Sequence, residues 1–249
     1  MPDVLLSCNG VSKGFTYFPV PSSLLQDRIV HWKTFRTAKW YQALSNVSFS
    51  VERGEWVGIY GPNGSGKTTL LRILANLLPA DEGTVACDAT LSCFFDLLVG
   101  FHPERRAEEN AYFHLLLHGI SQQEATVLLP KILAFSGLGD KADLPFKCYS
   151  QGMKLRLAFS CVVHVESDLY LWDEVTAVGD AAFQKQCREH LRSLRQAGKA
   201  GIIVSHSLAS LRESCDRIVF LEEGRVVGAE RCVGDLSLLK TPQAPSPVG

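Results

Sequence analysis

The 249-residue chain is long enough for one large domain, or for a core with an inserted lobe, and for a sizeable apolar interior. Its composition, 46% hydrophobic and 20% charged residues, is ordinary for a globular protein, and its formal net charge of -1 disfavours nucleic acid as a partner, because general nucleic-acid binders carry a basic excess. No signal-peptide pattern and no uncharged apolar window of about 18 residues is present, so we expect a soluble, intracellular chain and a separate subunit for any membrane pathway.

The first third of the chain has the patterns of strands. Residues 4–11, 44–51 and 56–60 read as strands, and the second of these alternates apolar and polar residues as a half-buried strand should. A polar, aromatic and basic extra segment, about residues 16–40, separates the first two. Helical spacing follows from Thr68 to Leu78.

The middle third is helical in pattern. Helical spacing runs from Arg105 to Gly137. Within it, Ser121 and Glu124 form a capping box that opens a second helix, and Gly137 is suited to close that helix. A further helix is predicted from Gln151 to Val165.

The last third returns to strands. Three apolar runs have the composition of strands: residues 168–172, 200–204 and 217–221. A helix is predicted from Asp180 to Gln196, between the first two runs. Strands and helices that alternate at both ends of a chain predict an α/β fold with a largely parallel sheet and helices on both faces. The middle then forms a helical subdomain, about residues 98–165, and residues 236–249 are predicted to be a short disordered tail.

A glycine-rich loop lies between a predicted strand and a predicted helix. Its residues match the pattern G-x-x-x-x-G-K-[ST]: Gly61, Pro62, Asn63, Gly64, Ser65, Gly66, Lys67 and Thr68. The glycines let backbone amides point at phosphate oxygens, and the helix N-terminus adds partial positive charge. Lys67 is expected to reach the β- and γ-phosphates, and Thr68 to bind Mg²⁺. The strand and helix on either side disfavour a glycine-rich turn with a chance lysine.

Two later strand ends carry further candidate residues. The apolar run that begins at Leu169 ends in Asp173, which suits support of Mg²⁺, and Glu174, which can polarise an attacking water. His206 ends another strand, where sheets of this kind hold their ligands, with a structural histidine as the alternative. A helix start supplies a third set: Ser150, Gln151 and Gly152. These residues would suit an anion site, but taken alone they are more typical of an ordinary N-cap.

The order of these elements resembles the nucleotide-binding domain of ABC transporters over about residues 4–232. The resemblance implies a RecA-like P-loop NTPase core, with a mostly parallel sheet, an antiparallel β portion and an inserted helical subdomain, in one domain of residues 1–235. It also implies roles at matching positions. Gly61 to Thr69 match the Walker A loop, and Ser150 to Gly152 match the signature. Asp173 matches the Walker B aspartate, Glu174 the catalytic glutamate, Asp180 the D-loop and His206 the switch histidine. An aromatic residue upstream of the loop is expected to stack on adenine, for which Tyr41 is the first candidate and Trp40 the second.

Three departures from the commonest ABC pattern resemble the ATP-binding subunits of bacterial exporters for capsular polysaccharide, O-antigen and teichoic acid. They are the signature Tyr149 to Met153, the run Glu174 to Asp180 and the extra segment before Tyr41. The run Gly100 to Glu104, followed by Glu109 and Asn110, is also similar to that group. O-antigen members often carry a separate C-terminal carbohydrate-binding domain, which this sequence lacks, so the capsule type is the expected one.

The position of the family's Q-loop is occupied differently here. No glutamine stands after the predicted strand near Leu91 to Phe95. Asp96 is expected to take that place and to contact Mg²⁺ or its water, with His102 as the second candidate.

The resemblance also implies partners. Two copies of the chain are expected to enclose two ATP molecules with Mg²⁺, each signature closing over the nucleotide held by the other copy. Two copies of an integral membrane permease, and other export and polysaccharide-assembly proteins, are expected at the cytoplasmic face of the inner membrane, where the chain would be peripheral.

Soluble ABC ATPases of translation or DNA repair usually hold two motif sets or a long coiled-coil insert, and GTPases carry an Asn-Lys-x-Asp motif. None of these patterns is present in the sequence.

The extra segment has two interpretations. Its apolar residues share one predicted helical face: Leu25, Ile29 and Trp32. Basic residues lie nearby: Arg28, Lys33, Arg36 and Lys39. The segment is either a surface helix packed on the core or a basic amphipathic segment at the membrane surface near the permease.

Overall fold

The structure, a computed structural model, describes residues 3–17, 38–173 and 181–232. Within these ranges the strands form two sheets. The smaller sheet is antiparallel and has the order β2-β1-β4. Its strands are β1 (Val4–Tyr17), β2 (Lys39–Glu52) and β4 (Glu82–Cys87). The far ends of β1 and β2 stay paired up to Tyr17 and Lys39, and we call these paired ends, residues 14–17 and 39–42, the ribbon.

The larger sheet has six strands in the order β5-β6-β7-β3-β8-β9. Its strands are β3 (Trp56–Tyr60), β5 (Leu91–Phe94), β6 (Leu169–Asp173), β7 (Ala200–Ser205), β8 (Arg217–Glu222) and β9 (Arg225–Arg231). The first five in spatial order are parallel, and β9 is antiparallel to β8. Parallel neighbours end at the same edge, so β5, β6, β7 and β3 deliver their following residues side by side.

Helices follow or connect these strands. They are α1 (Lys67–Leu74), α2 (Ala107–Leu117), α3 (Gln122–Ser136), α4 (Gln151–Val163), α5 (Ala181–Gln196) and α6 (Leu208–Ser214). Short 3-10 turns at Gly139–Asp143 and Phe146–Cys148 join α3 to α4. Three helices, α2, α3 and α4, pack around their own apolar cluster, and we call residues 98–165 the lobe.

The parallel strands are buried on both faces because their alternate residues enter different apolar clusters. In β6, Leu169 and Leu171 join the cluster that contains α1 and the antiparallel sheet. Tyr170 and Trp172 face the other way and pack with residues of α4 and α5. Burial on both faces explains why these strands read as nearly continuous apolar runs. The strands therefore form a firm base for the residues at their ends.

The predicted α/β fold, with a mostly parallel sheet, an antiparallel portion and an inserted helical part, is present. Ser121 caps α3 by accepting a hydrogen bond from the Glu124 amide, and Gly137 ends that helix in the left-handed conformation, as expected. The strand bounds differ from the prediction: β1 continues to Tyr17 and β2 begins at Lys39, so both ends of the extra segment belong to the ribbon. Strands β4 and β9 were not predicted, because most of their residues are exposed and show no apolar alternation.

Candidate functional site

The glycine-rich loop connects β3 to α1, as its sequence context predicts. The Lys67 Nζ donates to the carbonyl oxygens of Gly61 and Pro62, both at 2.8 Å. Gly66 stands at the N-cap of α1 with φ 102°, and no side chain caps that helix start. The lysine therefore lies across the concave side of the loop, close to the helix N-terminus. This is the arrangement that binds phosphate groups.

The glycines of the loop answer to two different needs. A Cβ at Gly61 would collide with the Leu221 carbonyl oxygen, and one at Gly66 would collide with the carbonyl of Ala43. These two positions let the loop sit tightly against β8 and β2. A Cβ at Gly64 would meet nothing within 4 Å, so that side of the loop is open.

The loop has the properties that a phosphate ligand requires. The Ser65 side-chain oxygen is buried and has no hydrogen-bond partner among the described residues. Such orphaned buried groups are rare in folded proteins and indicate a group that a ligand can satisfy. Together with the open side at Gly64 and the lysine, this buried hydroxyl indicates that the residues present fit the phosphate groups of a nucleotide.

One carboxylate and one imidazole side chain lie at the ends of two neighbouring strands. Asp173 ends β6, and His206 follows directly after β7. Because β7 lies between β6 and β3, His206 lies between Asp173 and the strand that leads into the phosphate loop. The Thr68 Oγ1 donates to the Asp173 Oδ2 at 3.4 Å. A hydroxyl beside a carboxylate is a set of oxygen ligands that suits Mg²⁺.

Buried packing places Asp173 at this edge. The preceding residue, Trp172, is fully buried and stacks on Phe94 of β5 with ring centroids 4.0 Å apart. After β7, the Ser205 hydroxyl accepts a hydrogen bond from the Ser207 amide at 2.9 Å and so fixes the turn that carries His206. Asp173 is thus held by the strand behind it, and His206 by its strand and by the first turn after that strand.

The two aromatic candidates for adenine stacking lie on opposite faces of the ribbon. The Tyr41 hydroxyl donates to the Gly64 carbonyl at 3.1 Å, which places this side chain beside the phosphate loop. The Trp40 ring lies over Gly14, where an added Cβ would collide with the ring. Both side chains are exposed, but only that of Tyr41 contacts the loop. The geometry therefore favours Tyr41 over Trp40.

The signature residues stand at the start of α4 in the lobe. The Ser150 Oγ accepts a hydrogen bond from the Met153 amide at 3.3 Å and caps the helix. The neighbouring Tyr149 is buried, its hydroxyl donates to the Ala142 carbonyl, and burial raises the pKa of this phenol. Ser150 and Gln151 are exposed. The tyrosine thus anchors the helix start and leaves the two polar residues at the surface.

Asp96 and His102, the two candidates for the Q-loop position, have different surroundings. Asp96 follows β5 and forms an ion pair with Arg72 of α1, with an Nη2–Oδ2 distance of 2.9 Å. His102 lies in the lobe, where its amide donates to the buried Asn110 side chain and its Nδ1 accepts from the Glu104 amide. Asp96 is the candidate beside the strand ends, next to β6, and His102 belongs to a lobe turn.

Several predicted residues lie outside the described residues: Glu174, Asp180, Leu25, Arg28, Ile29, Trp32, Lys33 and Arg36. The structure adds Arg72, which the sequence patterns do not indicate as a site residue, and gives Asn110 a structural role. Arg72 lies four residues after Thr68, a helical spacing that could have indicated a shared face. Asn110, which the resemblance to the exporter group includes, holds the turn at 102–106 through its side chain, a role that no sequence pattern indicates.

The fold and this site define a P-loop nucleotide-binding protein. None of the described helices is long and apolar enough to cross a membrane. The model of the ABC transporter family matches residues 44–177. The chain therefore belongs to the ABC transporter family, in its class of ATP-binding, ATP-hydrolysing subunits.

Individual relatives agree with this assignment. The ABC transporter protein AbcA of Aeromonas salmonicida is 37% identical over 230 residues, which cover 91% of this chain and 73% of that protein. The O-antigen export system ATP-binding protein RfbB of Klebsiella pneumoniae is 35% identical over 235 residues, 92% of this chain and 96% of that protein. The solved dimer of the ATP-binding cassette MJ0796, bound to ADP and Pi, shares the fold with a TM-score of 0.72 at 23% identity, covering 92% of this chain and all of that chain.

Proposed function

We propose that the chain energises an ABC exporter of a cell-surface polysaccharide by binding and hydrolysing ATP. The observation that carries the catalytic part is the meeting of the phosphate loop, Asp173 and His206 at one edge of the sheet. The relatives support the polysaccharide part, since RfbB is named for O-antigen export and TagH of Listeria monocytogenes for teichoic acid export. The capsule type is the finer proposal, from the resemblance in the signature and in the run Glu174 to Asp180.

The residues have distinct proposed tasks. The Lys67 ammonium and the loop amides hold the β- and γ-phosphates, and Tyr41 stacks on adenine. Thr68 and Asp173 would hold Mg²⁺, which supplies positive charge that stabilises the phosphate oxygens. Glu174 polarises the attacking water, and His206 contacts the γ-phosphate. The proposed metal contact of Asp96 remains a prediction, because its carboxylate is paired with Arg72.

A second copy of the chain completes the site. Ser150 and Gln151 are exposed at the start of α4, in the lobe, whereas the phosphate loop follows a strand of the larger sheet. The N-terminus of α4 and the Ser150 hydroxyl would bind phosphate oxygens of the nucleotide that another copy holds. We therefore propose a head-to-tail homodimer that holds two ATP molecules, with Asp180 at the contact between copies.

The proposed setting is the cytoplasmic face of the inner membrane. The dimer would be peripheral there and bind two copies of a membrane permease, together with other export and polysaccharide-assembly proteins. The second candidate is a soluble ABC ATPase without a transport role. Affinity purification from detergent-solubilised membranes distinguishes them: an integral membrane protein in stoichiometric amount supports export, and ribosomes or DNA would support the alternative.

The catalytic part is tested by hydrolysis of Mg-ATP. Lys67→Ala is expected to abolish ATP binding or hydrolysis, because it removes the only lysine of the loop, whereas Lys131→Ala, an exposed lysine on α3, should hydrolyse ATP at the wild-type rate. Turnover by Lys67→Ala at the rate of Lys131→Ala would contradict the proposal.

A further inference from the structure

One face of α1 contacts two neighbouring strand ends. Thr68 in its first turn meets Asp173 at the end of β6. Arg72 lies four residues later, on the same face, and meets Asp96 just beyond the end of β5. Strands β5 and β6 are adjacent and parallel, so the two carboxylates stand side by side along the edge of the sheet. The helix that follows the phosphate loop, α1, therefore contacts the residues that end β6 and follow β5.

The Arg72–Asp96 contact is geometrically specific. The guanidinium uses Nε and Nη2 to reach both carboxylate oxygens, at distances from 2.9 to 3.2 Å. This two-point contact fixes the orientation of the carboxylate as well as its position. Asp96 has a φ of 52°, in the left-handed region that non-glycine residues rarely adopt. The pair holds the chain in a sharp turn at that residue.

The chain passes from the sheet to the lobe directly after this turn. Leu98 and Phe101 each pack against both the cluster behind the sheet and the cluster of the lobe. Phe101 also stacks on Phe146, close to the start of α4. A mostly apolar cavity of about 440 Å³ opens beside the turn, and Leu155 of α4 lines it together with Asp96 and the following residues. The place of α4 relative to the sheet thus depends on this short connection.

We propose that Arg72 is a positioning residue that holds Asp96 and thereby sets the place of the lobe, with Ser150 at its surface, relative to the phosphate loop. The inference rests on the proposed function, because it concerns the assembly of the two-copy site. It assigns Asp96 to Arg72 in place of a direct metal contact.

If the Arg72–Asp96 pair only stabilised the fold, its loss would affect the lobe no more than the loss of another surface ion pair. Both partners are 45% exposed, and ion pairs of this kind contribute little to the stability of a fold. The chain offers a control, the Arg212–Glu230 pair, which is also a partly exposed guanidinium–carboxylate contact, 34% and 36% exposed, but joins α6 to β9 at the opposite edge of the sheet from β5. Loss of either pair should leave the protein folded, and only loss of the first should affect the lobe.

The experiment compares Arg72→Gln, Asp96→Asn and the control Arg212→Gln in full-length protein. We measure the Kd of a fluorescent ATP analogue, kcat and KM for ATP, hydrogen exchange of residues 97–101, and ATP-dependent dimerisation in a Glu174→Gln background. The first two variants should keep ATP affinity within about threefold, lose about tenfold in kcat and in dimerisation, and exchange faster at 97–101, since coupling between sites is typically worth 5- to 150-fold. The charge-reversed double variant Arg72→Asp with Asp96→Arg should recover part of the loss.

Two results would overturn the inference. The first is that Arg72→Gln and Asp96→Asn match Arg212→Gln in kcat, dimerisation and exchange. The second is a loss of ATP affinity as large as that of Lys67→Ala, which would make the pair part of the nucleotide site itself. If the unaltered protein neither binds ATP nor dimerises, the proposed function fails, and the exchange of residues 97–101 still decides whether Arg72 positions the lobe.

Discussion

The carboxyl edge of the parallel sheet and the lobe both carry proposed ATP contacts, but different forces hold them. At the edge, Asp173 and His206 end strands that are buried on both faces among large apolar side chains. In the lobe, polar side chains hold the turns: Asn110 binds the turn at 102–106, and the Arg156 Nε donates to the Ser136 carbonyl at the end of α3. Apolar burial fixes the edge, whereas the turns of the lobe, which surround its own apolar cluster, depend on individual hydrogen bonds. The lobe is therefore the part that substitutions and pH can shift.

The largest expected effect is at the edge. Gly61→Ala should destabilise the protein by about 3 kcal/mol and abolish ATP binding, because the new Cβ meets the Leu221 carbonyl, which cannot move away from its strand. Gly64→Ala is the matched control: it has open space around the Cβ and should cost only the strain of its φ of 80°, about 1 kcal/mol. Urea unfolding of both variants measures the difference. Equal stability would show that the edge tolerates displacement.

Loss of a buried polar group should have the next largest effect, confined to the lobe. Asn110→Ala leaves the amide of His102 and the carbonyls of Arg105 and Arg106 without their side-chain partner. We expect a loss of about 2 to 3 kcal/mol, with faster hydrogen exchange at 102–106 and unchanged ATP affinity. Gln123→Ala, an exposed residue of α3, serves as control. Reduced ATP affinity in Asn110→Ala would mean that the lobe and the edge are not separable.

Acid should weaken the lobe through His114. Burial and the neighbouring His118 lower the pKa of His114 to about 4, and neither of its ring nitrogens has a partner among the described residues. The folded state binds the proton less well than the unfolded state, so this contribution to stability is complete above pH 6.5 and is lost as the pH falls towards 4. Between pH 6.5 and 5 the loss is about 2 kcal/mol.

His114→Leu should remove that part of the pH dependence in urea titrations, while His190, whose pKa burial also lowers to about 4, retains its own part. If the stability of the unaltered protein and that of His114→Leu depended on pH in the same way, this explanation would be contradicted.

The smallest effect concerns the ribbon, which belongs to neither region. Tyr41→Ala should raise the Kd for ATP about tenfold through loss of stacking on adenine. Trp40→Ala removes a larger exposed ring from the opposite face of the same strand and should leave the Kd unchanged. Fluorescence titration with an ATP analogue measures both. A larger effect of Trp40→Ala would place the base on the other face.

The sequence predicts the residues at the edge of the sheet more fully than the contacts of the lobe, for a physical reason. Lys67, Asp173 and His206 follow short apolar strands, and a parallel sheet brings such residues together at one edge without further information. The ion pair of Arg72 with Asp96 depends on β5 and β6 being neighbours, which no local pattern encodes. The turn held by Asn110 depends on backbone groups that any residue type offers. Exposed strands such as β4 and β9 escaped prediction because alternation marks a strand only where one face is buried.

We propose that each ATP site combines the phosphate loop of one copy with the signature of the other. The decisive experiment mixes two inactive variants, Lys67→Ala and the double variant Ser150→Ala with Gly152→Asp. Half of the dimers in an equal mixture are mixed, and each mixed dimer has one intact site, so we expect the mixture to recover about a quarter of the wild-type ATP hydrolysis. A mixture that stays as inactive as its two components, although mixed dimers form, would contradict the claim.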